Sequence, residues 1–159
     1  MSAKQNKKRG YEFEHEVQLG LQLQLGDFNV YKIPDSYLLK MQTGLSVPAD
    51  FIISQDGKIC TIEAKTTKLH RIPFANFKQH QIDWVKENPN SAYFVVNFRN
   101  KKAKINKTFL VTSIEWSKFE KDFKASVPMD AFSHELERKT KRFHPTEAGA
   151  YIDFNEVKW

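Results

Sequence analysis

The sequence has one cysteine, six glycines and no apolar run approaching the ~18 residues of a membrane-spanning helix. Each shortage removes a class of protein. Cys60 alone cannot close an internal disulfide, and with no apolar leader segment the expected setting is a reducing, cytoplasmic one. The five histidines do not fall in zinc-like spacing with Cys60, so no structural zinc is expected. Among so few glycines there is no glycine-rich phosphate loop, which argues against a nucleotide cofactor. No internal repeat or low-complexity linker divides the chain. At 159 residues it can bury a core without disulfides or metals, as one domain.

Positive charge is in excess, with 25 Lys and Arg against 19 Asp and Glu, a net charge of +6. A polyanionic partner follows, nucleic acid ahead of a membrane surface. The charge is clustered. Residues 1–9 hold Lys4, Lys7, Lys8 and Arg9 with no acid, and read as a mobile basic arm. Residues 98–108 hold Arg99, Lys101, Lys102, Lys104 and Lys107 and read as a basic connecting loop. A third cluster is Arg138, Lys139, Lys141 and Arg142, and a looser one, Lys65, Lys68, His70, Arg71 and Lys78, lies mid-chain. Any one cluster reads equally well as solvated surface, but four in a small domain favour phosphate contact. The expected DNA contacts are Lys7, Lys8, Arg9, Lys40, Lys68, Arg71, Lys101 and Lys102.

Periodicity places a helix over residues 11–25, where Phe13, Val17, Leu21 and Leu25 recur at i+4 and Gly26 offers a cap. Leu19 and Leu23 form a second stripe suited to a partner surface. Residues 28–33 read as a strand. Residues 34–48 read as a long irregular segment in which Tyr37, Leu38, Leu39 and Lys40 are candidates for exposure at a branched substrate. Strands over 50–54 and 58–65 flank Asp56-Gly57, a hairpin signal. A helix over 73–86, strands over 92–98 and 107–114, helices over 116–123 and 129–138 and a strand over 151–154 complete the reading. Cys60, Phe77 and Val85, with Phe74 and Trp84, read as core. The order αβββαββ indicates an α/β domain on a central mixed sheet flanked by helices. The expected organisation is an arm over 1–9, a core over 10–115 and a C-terminal helical extension of the same domain over 116–159.

The residues able to do chemistry are Glu14, Asp50, Glu63 and Lys65. Side chains two apart in a strand share a face, so Glu63 and Lys65 point the same way. Counting back from the Asp56-Gly57 turn puts Asp50 nearly opposite Glu63. On its helix Glu14 lies only ~20° from Leu21 and Leu25, on the inward stripe. Acids placed there are costly unless compensated, and a divalent cation compensates. Carboxylates and waters suit Mg²⁺, which takes phosphate oxygens to complete its shell, and Lys65 beside it can orient water or offset charge on a phosphate. The competing reading is a surface pair of Glu63 and Lys65 with Asp50 and Glu14 as incidental acids.

Asp50 followed by Glu63-Ala64-Lys65, after Gly10, Phe13 and Glu14 on a first helix, resembles the PD-(D/E)XK nuclease superfamily. Within it, Thr67 after Lys65, and Asn76, Phe77, His80, Gln81 and Ile82, resemble Holliday-junction resolvases of the bacterial RecU type and, more distantly, archaeal Hjc. The resemblance covers about residues 10–115. It implies a restriction-endonuclease-like core and a homodimeric endonuclease that needs Mg²⁺, with Mn²⁺ as a substitute, and nicks opposed strands of a four-way DNA junction in recombination and repair. Carried over, Asp50 and Glu63 hold the metal, Glu14 completes the acidic cluster, Lys65 assists the water and Gln81 faces the site. Val47-Pro48-Ala49 stands where the family has Thr-Thr before its acid, and the family's stalk is reduced to about residues 34–46. Two rivals stay open: a related nuclease acting on plain duplex, and a basic DNA-binding module whose acids are structural.

Overall fold

The computed structural model describes residues 3–34, 49–143 and 149–159. Tyr37, Leu38, Leu39 and Lys40 lie outside them. The chain opens with helix α1 (Ala3–Leu25), then β1 (Val30–Lys32) and the hairpin of β2 (Phe51–Gln55) and β3 (Lys58–Thr67). A short β4 (Arg71–Pro73) leads to α2 (Gln79–Glu87), β5 (Ala92–Asn100), β6 (Ile105–Val111) and α3 (Ser113–Asp122). The remainder is β7 (Ser126–Pro128), β8 (Glu137–Arg138), β9 (Thr140–Arg142) and β10 (Ala150–Ile152). Six strands form one sheet in the order β1-β2-β3-β5-β6-β8. β3 and β5 run parallel and the other pairs antiparallel, so the sheet is mixed and the architecture is α/β, consistent with a restriction-endonuclease-like fold. Among the described residues no helix is long and apolar enough to cross a membrane.

The alternation of side chains along β5 splits the core in two. Tyr93 and Val95 face α1, whose Phe13, Val17 and Leu21 are almost fully buried with Phe51, Ile53, Cys60 and Ile62. Phe94, Val96 and Phe98 face the other way, against Val85 of α2 and Trp116 and Phe119 of α3. Phe77 packs there on Phe94 and Trp116, with ring centroids 4.9 and 4.5 Å away. The Asp56-Gly57 turn carries positive φ at both residues, 51° and 78°, the geometry that matches a two-residue hairpin to strand twist.

Three expectations need correction. Residues 3–9 are not a free arm but the first turns of α1: Lys, Gln and Ala propagate a helix even where no apolar side chain docks it. The helix expected over 73–86 is broken, since residues 74–76 make a single 3₁₀ turn and Phe77 is extended (φ −105°, ψ 127°), which turns its ring into the core before α2 begins. The helix expected over 129–138 is two 3₁₀ turns and a strand paired to β6, because Thr108 and Phe109 offer a sheet edge to Arg138 and Glu137.

The last of these changes the tail from a helical extension into β structure that closes over α1. β9 and β10 pair antiparallel, and Ile152 and Phe154 join the α1 core. Gly20 permits the approach: a Cβ there would lie 1.8 Å from the Ile152 carbonyl oxygen.

Candidate active site

The β2–β3 register sets the site. Phe51 faces Ile62, and the Asp50 N–H donates to the Ile62 carbonyl at 2.9 Å, so Asp50 stands across from Glu63 where β2 begins. The Ala64 N–H donates to Asp50 Oδ2 at 2.7 Å. This bond fixes one carboxylate oxygen on the backbone of the strand that carries Glu63 and Lys65. Glu63, 4% exposed, receives Lys65 Nζ at 2.5 Å and Gln81 Nε2 at 2.7 Å on the same oxygen, Oε1. Gln81 cannot flip freely, because its Oε1 accepts the Lys78 N–H at 3.1 Å where α2 starts. The amide is thereby oriented with its NH₂ toward the acid. Lys65 Nζ also lies 6.0 Å from the Phe77 ring centroid, at the outer range of a cation–π contact.

Glu14 reaches the same place from α1, and Lys32 Nζ meets its Oε2 at 2.9 Å. Together Glu14, Asp50, Glu63, Lys65 and Gln81 line one polar cleft of about 180 Å³. Lys32 and Lys78 also line it; Lys32 was not singled out from the sequence, and Lys78 only as a member of the mid-chain basic group. Lys32 was legible by extending the register, since it faces Phe51, the neighbour of Asp50. Lys78 had no signal for this cleft beyond its place in the basic group and before Gln81.

The electrostatics show what the cleft lacks. Burial, then the charges of Glu63 and Glu14, push the Asp50 carboxyl up to about 7, although the Ala64 N–H and Lys65 oppose the shift. Burial also raises Glu63, against the pull of Lys65 and Gln81. Negative charge is therefore undercompensated at Asp50 despite the nearby lysines. Among the described residues, no three His, Cys, Asp or Glu side chains gather closely enough to cage a metal on their own. Glu14, Asp50 and Glu63 therefore do not form the three-acid cation site expected from the sequence; one or two carboxylates completed by waters and phosphate oxygens is the donor set that Mg²⁺ accepts. Asp50 and Glu63 are the donors that fit, Asp50 with Oδ1 not engaged by any hydrogen bond among the described residues.

The expected DNA contacts separate into two groups. Arg9 and Lys68 line a second groove beside the cleft. Lys101 and Lys102 are exposed in the turn after β5, next to Asn100, whose Nδ2 donates to the Lys68 carbonyl at 3.0 Å. Lys7 lies over Tyr11, Lys8 is 3.9 Å from Glu12, and Arg71 is exposed on β4. Lys40 lies outside the described residues.

No curated protein matches the chain. The family model of Recombination protein U, RecU, matches residues 31–155, well over half of the sequence. The match takes in Asp50, Glu63, Lys65 and Gln81, begins after α1 and Glu14, and runs through the tail beyond the resemblance read from the sequence. With that match laid over the sheet and its acidic cleft, the chain belongs to the RecU family of Holliday-junction resolvases, which act in recombination.

Proposed function

We propose that this chain is a Mg²⁺-dependent endonuclease that resolves four-way DNA junctions as a homodimer. The reading rests on one observation above the rest: Asp50 and Glu63, held across adjacent strands, share a cleft with Lys65 while Asp50 stays raised to about 7. Asp50 and Glu63 are the metal ligands and Glu14 adds negative charge at the rim. When bound, Mg²⁺ polarises the phosphodiester and lowers the pKa of a water.

The chain's own groups do the rest. The Ala64 N–H and the Gln81 amide orient the two acids. Lys65, 18% exposed, presents its ammonium to the phosphate, where it offsets charge developing on the oxygens and orients the incoming water. Hydrolysis then exchanges one P–O bond for another, the water oxygen joining phosphorus and a proton going to the departing sugar oxygen.

The dimer is supported by an apolar sheet face rather than by Leu19 and Leu23 alone. Tyr31 pairs with Ile52, and Ile59 lies two residues along β3 from Thr61, the partner of Ile52. All three are exposed, at 59%, 37% and 67%. Contiguous apolar surface of this kind is used for association, and a two-fold pair gives one centre for each of two symmetric strands.

The test is a synthetic four-way junction with and without Mg²⁺, resolved by product size and run in competition with linear duplex. Paired nicks that need Mg²⁺ and vanish in Glu63→Gln are expected. Preference for the linear duplex would move the assignment to a duplex nuclease. The short Glu63–Lys65 pair also favours a structural role for these acids, and that reading wins if Glu63→Gln cleaves normally.

A further inference from the structure

The second groove, about 390 Å³, adjoins the acidic cleft, and Ala64 and Lys65 line both. Its character is opposite. Among the described residues no acid lines it, while Arg9, Lys65 and Lys68 do. One wall is a single face of α1, since Asn6, Arg9, Gly10 and Phe13 are spaced i, i+3, i+4, i+7. The other wall is the end of β3 through Thr66 to Lys68, and Asn76 also lines the groove.

Two features suit this groove to an anionic ligand. Positive charge is concentrated against α1: burial and the nearby Arg99 both lower the Arg9 pKa, and Arg99 is already committed to a bidentate pair with Glu16, one arm at 3.0 Å. Lys68 has no acidic partner among the described residues. The second feature is Gly10. It sits inside a helix, where glycine is unfavourable. A Cβ there would meet no atom within 4 Å, so neither packing nor a positive φ requires glycine. What its missing side chain leaves open is the groove, where a backbone can approach a ligand closely.

We infer that this groove is a second phosphate subsite, in which α1 and the end of β3 hold a neighbouring, uncut phosphodiester of the same DNA strand whose scissile phosphate lies at the cleft. The inference rests on the nuclease reading and deepens it, giving the strand a path across Lys65 from an anion-binding groove to a cation-binding cleft. Lys68 and Arg9 supply charge, Asn6 and Asn76 neutral donors, and Gly10 the room.

Binding is measured by fluorescence anisotropy on a labelled four-way junction in EDTA, over a salt series, with the full chain. Gly10→Ala and Gly10→Gln should raise Tm by about 2–4 °C through helix propensity. They should nevertheless weaken binding several-fold, Gln more than Ala, with the salt slope unchanged. Lys68→Ala should lower the slope of log K against log salt by about 0.9 for duplex contact or 0.7 for single strand. Wild-type-like affinity for Gly10→Gln, or an unchanged slope for Lys68→Ala, overturns the subsite while leaving wild-type cleavage, and so the nuclease reading, intact. A wild-type chain that binds but cuts no DNA with Mg²⁺ would sink the nuclease reading instead.

Discussion

Replacing Asp50 with Asn removes the group whose charge the fold tolerates least. Asn keeps the shape and its Oδ1 can still accept the Ala64 N–H that binds Asp50 Oδ2 at 2.7 Å. In the unfolded chain the carboxyl titrates near its ordinary 3.8, and in the fold it is raised to about 7. Between these values the native state holds a proton that the unfolded state has released, so stability falls as pH rises and levels off above about 7. At 1.36 kcal/mol per unit the full shift corresponds to about 4 kcal/mol, and partial solvent access reduces the expected gain on substitution to about 2–3 kcal/mol. Urea unfolding followed by tryptophan fluorescence, without divalent cations, reads this directly. Asp50→Asn should match the wild type at pH 4 and exceed it by that margin at pH 8.

Mg²⁺ supplies the second half of the test. At pH 8 and 100 times its dissociation constant it should stabilise the wild type by about 2.7 kcal/mol and leave Asp50→Asn unmoved. At pH 4, with the carboxyl protonated, neither protein should respond. Equal stability of the two proteins at pH 8, or an advantage for Asn that does not vary with pH, would refute the reasoning that Asp50 carries an uncompensated charge.

Gln81→Glu sets a third acid against Glu63 in place of an amide donor, so the acid limb of the single-turnover pH profile should move up by about one unit; an unmoved profile would mean that Gln81 does not govern Glu63. Gly20→Ala forces a methyl against the Ile152 carbonyl oxygen at 1.8 Å, and chemical denaturation should show a loss of about 3 kcal/mol, with proteolysis beginning in β9 and β10. Ile59→Glu, at a position 67% exposed, should leave the monomer's stability near wild type, turn a dimer into monomers in sedimentation, and convert paired nicks into single ones.

How far the sequence could be read depended on how local the determinant was. The hairpin was legible because Asp56-Gly57 supplies the turn and alternation supplies the faces, and together they put Asp50 across from Glu63. Gln81 was legible from the motif around it, although the break at Phe77 that frees its helix to start at Gln79 was not, since it is set by Phe94 and Trp116, distant in the chain. The tail was misread for the same reason. Phe132 and Leu136 keep helical spacing, but Glu137 and Arg138 are captured by the edge of β6. Residues 3–9 depart in the opposite direction: they lack apolar side chains that would dock them, yet α1 runs through them on propensity and on its continuation into Phe13 and Val17.

That continuity gives α1 a part that no single motif announces. Along one helix, Asn6, Arg9 and Gly10 line the basic groove, Glu14 enters the acidic cleft, Phe13, Val17 and Leu21 grip the sheet, and Gly20 admits β10. Anion-facing and cation-facing groups are thus only about one turn apart, some 5 Å along the axis. A mobile arm could contact phosphate but could not hold that spacing. A helix locked at its far end by Leu21 and Ile152 can, and this ties the geometry of the cleft to a tail packed on the opposite end of the same rod.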